Sequence, residues 1–116
     1  MLANFFGLFR SKNKDDLTFL EVFYFQHDPS TNKLLVCNNG MRSTNEIRLV
    51  VKNDQLMLFT KNLDKLEARS SNLLALADLL DNLQRPFSGT IKEITLYHKG
   101  RKAVFVPDVY NLKRIK

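Results

Sequence analysis

Residues 70–85, SSNLLALADLLDNLQR, constrain the fold of this chain more than any other stretch. Advancing 100° per residue from Leu73, the side chains of Leu73, Leu76, Ala77, Leu79, Leu80 and Leu83 share one arc of roughly 160°. Asp78, Asp81 and Asn82 fall on the other side, and Leu74 strays towards them. Ser70 or Ser71 can cap the orphan N–H groups of a first turn. Arg85 complements a negative C-terminal end, and Pro86 cannot continue a helix. The pattern predicts a core helix over 70–85. The same leucine face would also suit pairing with a second helix.

The remaining segments read as strands and turns. Residues 17–26, LTFLEVFYFQ, are rich in strand-forming types. Leu17, Phe19, Phe23 and Phe25 lie on one face with Glu21, and Leu20, Val22 and Tyr24 lie on the other. Two apolar faces predict a central strand covered on both sides. HDPSTNK carries turn chemistry and returns the chain into a strand at Lys33–Asn38. Asn38-Asn39-Gly40 offers another tight turn.

Residues 46–52 and 55–60 predict a hairpin about Asn53-Asp54. A two-residue turn there pairs Lys52 with Gln55, Val51 with Leu56, Leu49 with Leu58 and Ile47 with Thr60. Arg48 then faces Phe59 and Glu46 faces Lys61 on the outward side. Residues 90–98 and 101–107 form a second hairpin about Lys99-Gly100, either as a two-residue turn or as a bulged three-residue one. The tail DVYNLKRIK is a last short element or a basic arm.

The predicted fold is α+β, with element order β-β-β-β-α-β-β. An antiparallel meander of five to six strands carries the helix on one face. In element order alone this resembles single-strand-binding modules of the Whirly or PUR-like kind. A length of 116 residues suits one domain. The expected division is an amphipathic N-terminal arm, 1–12, and a single α+β domain, 13–116.

That arm opens MLANFFGLFR. On a helical wheel Leu2, Phe5, Phe6, Leu8 and Phe9 share one side. It has no basic leading region and no small-residue cleavage site, and Leu2 is not the glycine that myristoylation needs. A short helix interrupted by Gly7 is marginal alone in water, so it must dock. The candidates are its own domain, a partner chain or second copy, and a membrane interface.

Chemistry-bearing residues are sparse. His27 and His98 are the only histidines, and no spacing joins them to carboxylates as a metal site. The lone Cys37 excludes an internal disulfide and a Cys-rich zinc site. In an apolar strand it reads as a buried, inert thiol, and its solitude fits a reducing, cytoplasmic setting. Asp78 and Asp81 read as solvated helix surface. The four glycines stand apart, so no phosphate loop forms. No apolar run approaches the roughly 18 residues of a membrane span. The expectation is a non-enzyme with no cofactor, metal or small-molecule substrate.

Two functions follow from different features. The first is a protein-interaction module, either a small homodimer or an adaptor subunit. It would contact its partner through Leu2, Phe5, Phe6, Leu8 and Phe9 and the apolar first strand, because surplus hydrophobicity must be buried somewhere. The second is a single-stranded nucleic-acid-binding module. The formal charge of +6, from 18 basic and 12 acidic residues, favours anionic partners. Arg48, Lys52, Phe59, Lys61, Tyr97, Lys99, Arg101 and Lys102 interleave cations with aromatics on hairpins. A membrane surface contacted by the arm is a third reading.

Overall fold

The computed structural model describes residues 17–25 and 32–116. The strands are β1 (Leu20–Phe25), β2 (Lys33–Asn38), β3 (Thr44–Asn53), β4 (Leu58–Leu66), β5 (Ser70–Ala75), β6 (Ile91–His98), β7 (Arg101–Pro107) and β8 (Leu112–Arg114). They form two antiparallel sheets, one in the order β1-β2-β5 and the other β4-β3-β6-β7-β8. The inner faces of both contribute to one buried cluster. Leu20, Val22, Leu34, Val36 and Leu74 come from the smaller sheet. Ile47, Leu49, Val51, Phe59, Ile94, Leu96 and Phe105 come from the larger.

The predicted helix is absent, and with it the α+β class and the likeness in element order. Residues 70–75 are a strand paired along its whole length with β2, from Lys33↔Ala75 to Asn38↔Ser70. Only Leu76–Asp78 make a short 3-10 turn. Over 71–76 the leucines fit a period of two as well as a helical arc. Ser71, Leu73 and Ala75 form one face, and Asn72, Leu74 and Leu76 form the other. Burial decides between the periods: Leu74 is 5% exposed and Leu73 is 54% exposed, the reverse of the helical expectation. Leucine's helix preference is a few tenths of a kcal/mol per residue. A six-residue ladder on β2 with Leu74 and Leu76 in the core overrides it.

Beyond the 3-10 turn the chain crosses to the larger sheet. Leu80 exchanges backbone hydrogen bonds with Thr60 of β4, at 2.8 and 3.2 Å. Asp81, expected on a solvated helix face, is instead buried and organises the following turn. Its Oδ1 accepts from the N–H groups of Leu83 and Arg85, and its Oδ2 from the Arg85 guanidinium at 2.8 Å. Leu83 is exposed.

The first hairpin exists, with a longer turn and a different register. Lys52 pairs with Leu58, Val51 with Phe59, Leu49 with Lys61 and Ile47 with Leu63. The shift is by three residues, an odd number, so it exchanges the faces of β4. Phe59 enters the core at 1% exposure, while Leu56 and Leu58 stay out at 61% and 51%. Asn53 is the cause. Its buried side chain accepts from the N–H groups of Gln55 and Met57, both at 2.9 Å, and donates to the Ser88 carbonyl at 3.0 Å. That Asx-type closure replaces the tighter two-residue turn. The second hairpin does use a two-residue turn. Lys99 (φ 49) and Gly100 (φ 80) are both left-handed, and His98 pairs with Arg101, as in a type I′ turn.

β1 is an edge strand, not a central one. Its inner face, Leu20 and Val22, is buried, while Phe23 and Phe25 are 40% and 43% exposed. The edge of β1 lies beside the edge of β8, and side chains stitch the two. Asn111 bonds the backbone of Tyr24, and the Arg114 guanidinium donates to the Leu17 carbonyl at 2.7 Å. On the opposite seam the buried Asn38 donates to the Leu66 and Arg42 carbonyls. The expected N-terminal helix lies outside the described residues.

Candidate interaction surfaces

The outer face of the three-stranded sheet carries a row of exposed apolar side chains among the described residues. Register places Phe23 opposite Leu35 and Leu35 opposite Leu73, giving an apolar row across all three strands. Phe25 and Ala75 flank Lys33 in the next row, and Glu21, Cys37 and Ser71 make the row on the other side. Phe23, Phe25 and Leu73 are exposed by 40%, 43% and 54%. The sequence reading found the phenylalanines of this face but missed Leu35 and Leu73. The signal was the alternation in 71–75, which the helical period obscured. Leu2, Phe5, Phe6, Leu8 and Phe9, the other expected partner contacts, lie outside the described residues.

Cys37 is half-buried on this face rather than in the core. Burial pushes its thiol above the ordinary range, and the Glu21 carboxylate beside it acts in the same sense. Both keep the thiol protonated and disfavour nucleophilic chemistry.

The outer face of the five-stranded sheet carries the basic residues. Arg48 stands opposite Tyr97, Tyr97 opposite Lys102, and Asn62 on the other side of Arg48. These four therefore form a single row across β4, β3, β6 and β7. Lys52 lies on the same face, 4.0 Å from Glu93. Lys99 sits in the turn at the hairpin tip.

The other three expected contacts are elsewhere. Phe59 is in the core, edge-to-face with Phe87 at 5.0 Å between ring centroids. Lys61, opposite Leu49, and Arg101, opposite His98, are on the inner side of their strands.

Two clefts open among the described residues. One, of about 320 Å³, lies between the β1 and β8 edges and is lined by Leu20, Val22, Phe105, Leu112 and Arg114 among others. The second, of about 590 Å³, runs beside Glu46, whose backbone is left-handed (φ 58), and is lined by Arg48, Asn62, Asp64 and Lys65.

Neither cleft is lined by a histidine or by Cys37. His98 was expected as a solvated turn residue, but its Nε2 lies 3.3 Å from the Thr44 hydroxyl and its Nδ1 is buried. His27 lies outside the described residues. Among the described residues no three of His, Cys, Asp and Glu converge as a metal site, and no helix is long and apolar enough to cross a membrane. The chain matches no protein-family model, no curated protein and no solved structure.

Proposed function

We propose that this chain is a non-catalytic protein-interaction module that binds a partner chain, or a second copy of itself, through the outer face of the three-stranded sheet. The observation that carries the reading is the exposed row Phe23–Leu35–Leu73 with Phe25 beside it. An exposed sheet face of this kind marks an association site, because contiguous apolar surface is costly to leave in water. The apolar residues of 1–10 lie outside the described residues and enter this reading from the sequence alone. The arm belongs to the same reading as a second apolar element. The single cysteine of the sequence suits a reducing, cytoplasmic compartment.

The test uses the full chain, its Phe23→Asp/Leu73→Asp variant, sedimentation equilibrium and binding of a hydrophobic dye. The wild type is expected to self-associate or to bind the dye. The variant should lose that behaviour and keep its fold by circular dichroism, because both side chains point away from the core. A wild-type chain that does neither at tens of micromolar would count against the reading.

A further inference from the structure

We infer that the outer face of the five-stranded sheet, on the opposite side of the molecule from the apolar face, is a binding site for single-stranded nucleic acid centred on Tyr97. Register puts a cation on each side of this ring, Arg48 on β3 and Lys102 on β7. Neighbouring strands are about 4.8 Å apart, so the two cations straddle Tyr97 across a span of roughly 10 Å at the backbone. Side chains as long as Arg and Lys have the reach to bring their charges level with the ring.

Tyr97 itself is 40% exposed. The adjacent outward row is Thr60, Val50, Thr95 and Val104, with Val50, Thr95 and Val104 only 9%, 5% and 4% exposed. These three side chains carry no charge and are nearly covered by their surroundings, whereas Tyr97 reaches solvent.

A stacked base needs a ring face, room beside it, and cations where its flanking phosphates fall. The row supplies the ring face, 40% exposed, and the cations on each side of it. Single strands are selected over duplex because only an unpaired base offers its face to a ring. The row also contains no acidic side chain. Glu93, in the third row, is engaged by Lys52. Glu46 and Asp64 line the cleft on the far side of Arg48. Lys65 and Arg48 balance those two carboxylates in the cleft, so the excess of positive charge lies along Arg48, Lys102 and the Lys99 tip. The excess of 18 basic over 12 acidic residues supports the same sign of partner.

The experiment is fluorescence anisotropy of a labelled oligothymidine with the full-length chain, at low and near-physiological salt, with heparin as a polyanion without bases. The wild type is expected to bind the oligonucleotide, with affinity falling on a log–log salt plot. Arg48→Gln and Lys102→Gln should each lower that slope by about 0.7, the increment for one phosphate contact on a single strand. Tyr97→Phe should preserve binding, and Tyr97→Ala should weaken it about tenfold while leaving heparin binding unchanged. Phe23→Asp, on the other sheet, should change nothing. Three results would each overturn the inference: no anisotropy change at tens of micromolar protein in low salt, equal binding by Tyr97→Ala and wild type, or equal affinity for duplex and single strand. All the substitutions sit on the solvent side of the sheet, and near-ultraviolet circular dichroism confirms that each variant is folded.

Discussion

The side-chain amide of Asn111 hydrogen-bonds both backbone polar groups of Tyr24. Its Oδ1 accepts from the Tyr24 N–H at 2.7 Å, and its Nδ2 donates to the Tyr24 carbonyl at 2.6 Å. A strand partner would make the same two bonds, so one side chain stands in for a ladder where β1 and β8 lie side by side. The Arg114–Leu17 bond makes a second tie at the other end of β1.

Asn111→Ala removes both partners from Tyr24 at once. The expected loss is about 1–3 kcal/mol, the cost of leaving a partly buried backbone pair unsatisfied. Urea melts measure it, and faster hydrogen exchange of the Tyr24 amide localises it. A loss below about 0.5 kcal/mol with unchanged exchange would show that this seam does not depend on the asparagine.

Leu73 and Leu74 separate the strand from the helix that the sequence predicts. Leu74 faces the core and Leu73 faces solvent. Leu74→Ala should cost roughly 2–5 kcal/mol. Leu73→Ala should stay within about 0.5 kcal/mol, as surface substitutions do. A helix with the predicted face would reverse the order. Urea denaturation of the two single variants decides it, and equal losses would contradict the β2–β5 ladder.

The same two leucines show why part of the fold was legible and part was not. Lys33–Asn38 and Arg101–Pro107 were expected with the bounds they have, because short apolar runs between turn residues leave few alternatives. Residues 70–85 were misread because leucine is ambiguous. Over six residues a period of two and a helical arc select overlapping sets. What decides is β2, a partner more than thirty residues away in the chain, which no local pattern reveals.

The β3–β4 register was lost for a related reason. Asn53-Asp54 signals a turn, but the longer one rests on the Asn53 side chain accepting from Gln55 and Met57 and on the tertiary bonds of Asn53 to Ser88 and of Asp54 to Thr90. Of the surfaces, the aromatic and basic residue types were visible in the sequence. Their alignment into the rows Phe23–Leu35–Leu73 and Arg48–Tyr97–Lys102 depends on register and was not.

Asp81 makes stability depend on pH in a direction that can be worked out. The backbone N–H of Arg85 lowers its carboxyl below the ordinary carboxylate range, and the Leu83 N–H and the Arg85 guanidinium add to the effect against the opposing influence of burial. A group whose pKa is lower folded than unfolded contributes stability above its unfolded value. That contribution is lost as pH falls through the folded value. For an aspartate the unfolded value is about 3.9. The contribution is therefore complete at neutral pH and disappears in the acid range below about pH 4.

The turn it holds closes Asp81 N–H onto the Arg85 carbonyl at 2.9 Å and leads to Phe87, whose ring packs on Phe59. Loosening it should reach the core through that contact. Asp81→Asn should be less stable than wild type at pH 7, and the gap should narrow as the pH is lowered from 5 to 3. Urea melts of both proteins at pH 7, 5 and 3 provide the comparison. Parallel stability curves over that range would show that the charge of Asp81 does not hold the turn, leaving its hydrogen-bonding shape, which asparagine partly keeps, as the stabilising feature.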